Sequence, residues 1–148
     1  MGLETQHTQW PLTPFPDDIK DFITRFYEIA DDFSEAATHT VDYLFLPDAQ
    51  VTLGDQTFKG FDQLEQARSA PFPLLESVFH EIKGVYSRNE VGDDLLLYGR
   101  VTWVYKKGGE RSADFASKLD LVNGEDGWRL RSYQAFADLS QLIAGLSE

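Results

Sequence analysis

No cysteine occurs in the 148 residues, which removes disulfides, zinc-finger sites and thiol nucleophiles from consideration. Basic residues are scarce too: 13 Lys and Arg stand against 25 Asp and Glu, a net charge of −12. A phosphate backbone is bound through clustered Lys and Arg, so no nucleic-acid partner is expected, and an anionic membrane surface is disfavoured for the same reason. There is no long apolar run, and the opening Met1-Gly2-Leu3-Glu4-Thr5-Gln6-His7 lacks the basic-then-apolar order of a secretory signal. The expectation is a cytoplasmic protein with no membrane partner. What is present is 42% hydrophobic and 14% aromatic residues, in a length that suits one domain with room for an aromatic-lined pocket.

Four long runs rich in Val, Leu, Tyr, Phe and Trp dominate the second half: Ser77–Asn89, Asp94–Lys107, Arg111–Asn123 and Gly127–Ala137. Each alternates in side-chain character, and the breaks between them carry Gly, Asn or Asp, residues that tolerate the backbone of a tight reversal. They predict a curved antiparallel sheet. Ahead of it, residues 1–16 form an arm holding Trp10, Phe15 and three of the six prolines. Asp17 opens a helix with apolar positions Ile19, Phe22, Ile23, Phe26, Ile29, Ala30 and Phe33 at helical spacing, bordered by Tyr27.

Ser34 is a plausible N-cap for a second helix from Glu35 to about Leu46, with Ala37, Thr40, Val41, Leu44 and Phe45 inward and His39 and Tyr43 on a neighbouring face. A strand pair over 48–60 and a third helix over 61–70 complete the first half. The main unit spans residues 17–138, and 139–148 forms a tail or short last helix. Helices first and long strands after define an α+β class, with helices on one face of the sheet.

Period-two alternation selects the residues that face the helices. His80 and Tyr86 fall inward on the first long strand, Trp103 on the second and Ser117 on the third; Ser132, Gln134 and Phe136 fall inward on the fourth. Val85, Tyr98, Arg129, Arg131 and Tyr133 fall outward. The predicted lining is apolar with a few uncharged polar groups, the composition of a small-molecule pocket. Tyr27, His39 and Tyr43 join it if the helices present them. A polar side chain sealed in a core without a partner costs about 1–3 kcal/mol, so several on one inward face imply partners, water or a ligand. Asp31 and Asp32 end the first helix, where the helix dipole disfavours negative charge. Asp32 is assigned with His80 to catalysis, and Tyr27, His39, Tyr43, Trp103, Ser117, Ser132, Gln134 and Phe136 to substrate binding. No metal or other cofactor is expected.

The segment Phe26 to Asp32, then Tyr43-Leu44-Phe45-Leu46-Pro47-Asp48-Ala49, Gly60-Phe61-Asp62-Gln63-Leu64 and Gly127-Trp128-Arg129-Leu130 with Tyr133 beyond, resembles the nuclear-transport-factor-2-like superfamily, more narrowly its SnoaL-like group. The resemblance implies a cone: a curved antiparallel sheet wrapped around about three N-terminal helices, with a pocket at the wide end and a homodimer through the outer sheet face. It also implies an isomerase, cyclase or dehydratase acting by general acid/base catalysis on an apolar carbonyl or polyketide-like substrate. The alternative is a non-catalytic binding or dimeric scaffold module of the same fold. A more distant likeness to scytalone dehydratase matches His80 to a strand histidine and Ser117 to a later polar position. There Phe33 and Ser34 stand where a tyrosine and an acid would be, and the second histidine has no counterpart in Leu95–Tyr105. A likeness to ketosteroid isomerase brings Asp48 near the position of its base.

Overall fold

The computed structural model describes residues 2–147, with Val41, Asp42 and Ser147 described by backbone alone. Met1 and Glu148, the outer ends of the expected arm and tail, and the expected inward side chain of Val41 lie outside the described residues. Six strands, β1 (Phe45–Leu53), β2 (Gln56–Lys59), β3 (Leu75–Ser87), β4 (Asp94–Tyr105), β5 (Glu110–Gly124) and β6 (Gly127–Ala137), form one curved, unclosed sheet in the order β2-β1-β6-β5-β4-β3. All neighbours run antiparallel except β1 and β6, which are parallel, so the sheet is mixed.

Helix α1 (Asp17–Ala30) starts after Pro16, whose extended backbone holds the cap position, and places Asp17 and Asp18 at the positive end of the dipole. Its buried face is Ile19, Phe22, Ile23, Phe26 and Tyr27. Tyr27 therefore belongs to the buried stripe that it was expected only to border.

The expected second helix breaks into two single turns, α2 (Glu35–Thr38) and α3 (Val41–Leu44), and the chain is already a strand at Phe45. Ser34 does cap α2, its Oγ accepting from the Ala37 N–H at 3.1 Å. Phe45, expected on the buried side of that helix, is instead paired with Leu130 of β6, which overrides the helical pattern. Helix α4 (Gly60–Ser69) and helix α5 (Ser140–Ser147) complete the chain.

Besides a bulge at Glu76, at the start of β3, two bulges decide which side chains face the helices. Between Ile82 and Gly84 one extra residue, Lys83, stands against β4, and between Leu130 and Ser132 Arg131 does the same against β5. An inserted residue reverses which face every later side chain takes. At the first bulge Gly99 lies opposite Ile82, and a Cβ there would fall on the Glu81 carbonyl oxygen. Only a residue without a side chain admits so close an approach.

The N-terminal arm docks on the outer edge of β3. A 3-10 turn (Leu3–Thr5) is followed by Gln9, whose N–H donates to Lys83 O at 2.9 Å and whose carbonyl accepts from Val85 N–H at 3.0 Å. Unpaired edge groups are thereby covered.

Candidate functional site

A cavity of about 310 Å³ lies between the concave face of the sheet and helices α1 and α4, with Leu142 of α5 and Leu139, which just precedes that helix, at its margin. Its wall is mostly apolar, built from residues such as Phe26, Val101, Trp103 and Phe115, and its polar groups are His80, Tyr27, Tyr133 and Arg68.

His80 comes from β3 and is held by the end of α1. Asp31 Oδ1 lies 2.5 Å from the ring Nδ1, and Oδ2 accepts the His80 backbone N–H at 2.9 Å. A carboxylate beside Nδ1 requires the proton on that nitrogen, which leaves the Nε2 lone pair free. Tyr27 tilts against the imidazole at 5.3 Å between centroids, and Phe115 meets it edge-on at 5.4 Å. The ring is thus fixed by one hydrogen bond and two aromatic neighbours, and its backbone by the second hydrogen bond.

Asp31 is itself positioned by how α1 ends. The last carbonyls of a helix lack partners within it. Here Arg68 of α4 ties that end down: Nη1 donates to the α1 carbonyl Ile29 O at 2.7 Å, Nη2 to Asp32 O just past the helix and Nε to Thr38 Oγ1 of α2 at 3.2 Å.

Beside the dyad runs a chain of hydroxyls. Ser117 Oγ is 2.8 Å from Tyr133 OH, which is 3.0 Å from Tyr27 OH. All three residues are buried, Ser117 completely, with 0% exposure. Burial raises the pKa of both phenols, Tyr27 well above the ordinary value. They stay neutral and keep their protons. The members of the chain that face the cavity are Tyr27 and Tyr133. Among the described residues no group of three or more His, Asp or Glu side chains is placed to hold a metal ion.

Neither a family model nor a curated protein matches the sequence. Solved structures do match in shape. A candidate SnoaL-like polyketide cyclase from Jannaschia sp. CCS1 is 14% identical at a TM-score of 0.72, over 93% of this chain and 96% of that one. Nuclear transport factor 2 from Cryptosporidium parvum is 18% identical at 0.66, over 88% and 100%. A ketosteroid-isomerase-like fold from Catenulispora acidiphila DSM 44928, solved with trimethylamine, is 18% identical at 0.64, over 86% and 92%. The chain has the nuclear-transport-factor-2-like fold.

Within this nuclear-transport-factor-2-like frame, the expected lining residues divide sharply. His80, Tyr27 and Trp103 line the cavity, and Ser117 lies behind Tyr133. Ser132, Gln134 and Phe136 do not: the Arg131 bulge turns them to the convex face, where Ser132 Oγ donates to Asp120 Oδ2 at 2.5 Å and Phe136 is 51% exposed. The same bulge brings Tyr133, expected outside, into the cavity. At the Lys83 bulge Val85 and Tyr86 likewise exchange faces.

Tyr43 is 62% exposed, and His39 sits on the surface 3.6 Å from Glu35 and 4.0 Å from Glu65. The early end of the second helix removes both from the pocket. Asp32 is exposed and caps the Ser34 N–H at 2.9 Å, a bond that lowers its pKa. The acid beside the imidazole is Asp31. Phe33 stacks on Phe72 at 4.0 Å and Ser34 caps α2, so the tyrosine and acid at the imidazole are Tyr27 and Asp31 instead. Their spacing of four residues, which puts them on one helix face, was the signal available in the sequence. Tyr133 and Arg68 carried no comparable mark.

Proposed function

We propose that this chain is a SnoaL-like small-molecule enzyme that uses His80 as a general base and acid on an apolar, polyketide-like carbonyl substrate. The observation that carries the reading is a histidine facing an apolar cavity, its Nδ1 held by a buried carboxylate, beside a chain of neutral hydroxyls. Nε2 takes a proton from the carbon next to the carbonyl. Asp31 stabilises the imidazolium that results. Charge moves to the carbonyl oxygen, and a hydrogen bond from Tyr27 or Tyr133 stabilises it there. Return of the proton at another carbon isomerises the substrate, attack of the enolate on a second carbonyl closes a ring, and expulsion of a β-hydroxyl dehydrates it. The apolar walls favour a substrate with few polar groups, and the volume falls at the small end of ligand pockets, roughly 300–1,000 Å³.

The test is hydrogen exchange in deuterated water over a panel of cyclic and linear ketones and 1,3-diketones, followed by mass spectrometry. Exchange next to the carbonyl is expected with the wild-type chain and a loss of roughly 10²–10⁴-fold in His80→Gln. No exchange across the panel, or equal exchange in both proteins, overturns the reading.

The convex face supports a second element of the proposal, a homodimer through the outer sheet. Tyr86, Leu96, Tyr98 and Phe136 are exposed there. Large apolar side chains gathered on one surface are typical of an interface.

A further inference from the structure

Ser117 and Glu4 are both buried polar residues, and Ser117 is accounted for by Tyr133. Glu4 is not used by the dyad, yet it touches it. It lies in the 3-10 turn of the arm, which packs on α1 and β3. One contact fixes that turn and two fix the arm after it: Thr5 Oγ1 shares a hydrogen bond of 2.7 Å with Thr24 Oγ1, Thr8 Oγ1 donates to Ile82 O at 2.6 Å, and Gln9 pairs with the edge of β3. The Glu4 carboxyl is carried to within hydrogen-bond contact of Asp31, with the residue only 8% exposed.

Two carboxyl groups in contact and shielded from water repel each other when both are ionised, so one of them keeps its proton to higher pH. Asp31 already accepts from the His80 backbone and faces the ring Nδ1, which requires it as the carboxylate. The proton therefore resides on Glu4. Burial first, and the Asp31 contact second, raise its pKa to about 7. The charged and titratable groups that act on it are Asp31 and Glu28 of α1 and, across Asp31, His80 of β3.

We propose that Glu4 is a positioning residue for His80, its protonated carboxyl donating to Asp31 so that the arm completes a Glu4–Asp31–His80 relay. The catalytic meaning of the relay rests on the acid/base reading above, but its existence does not. With its proton, Glu4 draws charge from Asp31 and makes the imidazole less basic. Without it, Asp31 regains that charge, Glu4 adds its own, and the imidazolium is favoured. One ionisation is felt by the other.

The experiment follows the imidazole nitrogens of His7, His39 and His80 by ¹⁵N NMR against pH in the full chain, with His80 assigned by its loss in His80→Gln. The wild-type His80 curve is expected to show two inflections. Glu4→Gln keeps a neutral donor and reduces the curve to one; Glu4→Ala removes the donor and moves the midpoint up by about 0.5 unit or more. A single inflection in wild type, with the same midpoint in Glu4→Gln, overturns the relay, and this comparison stands even if Glu4→Ala does not fold. Loss of ketone exchange in His80→Gln without the coupling would sink the relay alone. The coupling without ketone exchange would sink the enzymatic reading alone.

Discussion

Asp31 grips His80 twice, through the backbone N–H with one carboxylate oxygen and through the ring Nδ1 with the other. The first contact caps a strand that has no strand neighbour on that side, and the second chooses the tautomer. A single side chain thus sets both the position and the proton of the imidazole.

Asp31→Asn separates those two roles. An amide still accepts from the backbone, but its NH₂ faces Nδ1 and favours the proton on Nε2. The ¹⁵N shifts of His80 are expected to exchange character between the two nitrogens, with ketone exchange falling about 10²–10⁴-fold. Unchanged shifts would show that Asp31 does not set the tautomer.

Tyr133→Phe removes the middle of the hydroxyl chain and takes one partner from each of Ser117 and Tyr27. The cost is about 1–3 kcal/mol for each group left without a partner. Urea unfolding should show a larger loss for Tyr133→Phe than for Ser117→Ala, which removes an end of the chain. Equal losses would mean the hydroxyls are not a connected unit.

Glu4 gives stability a pH dependence of unusual sign for an acid. Its folded pKa of about 7 lies above the unfolded 4.5, so the native state holds the proton more tightly. The contribution is complete below pH 4.5 and declines as pH rises through 7. Unfolding free energy of wild type minus that of Glu4→Gln should fall over this window by an amount on the order of 1–3 kcal/mol. A flat or rising difference would contradict it.

For the outer face, native mass spectrometry of the wild-type chain is expected to show twice the monomer mass of 16.8 kDa. Leu96→Glu combined with Tyr98→Glu places like charges on the proposed interface and should yield monomer. A wild-type monomer at micromolar concentration removes the dimer.

Strands β4 and β5 were legible from alternation alone. Leu95, Leu97, Val101 and Trp103 are buried on one, and Phe115, Ser117, Leu119 and Leu121 on the other, as period two dictates. On β3 and β6 the same rule holds up to Lys83 and Arg131 and then inverts, because each bulge inserts one unpaired residue. No residue type in those strands announces a bulge. Gly99, the nearest trace, sits on the partner strand. His80 precedes its bulge and was placed correctly, whereas Gln134, Phe136 and Tyr133 follow theirs and were not. Glu4 was invisible for another reason: an arm of prolines and polar residues has no period, and only docking against α1 and β3 gives its carboxyl a neighbour.

Strand β6 sits between β1 and β5, and it alone joins the β2-β1 pair to the β5-β4-β3 meander. Until it is laid down the two portions share no sheet edge, and the phenol in the middle of the hydroxyl chain has not yet arrived. During synthesis the last strand is therefore also the keystone: a chain that ends before Gly127 has no strand to join the two portions of wall around the hollow.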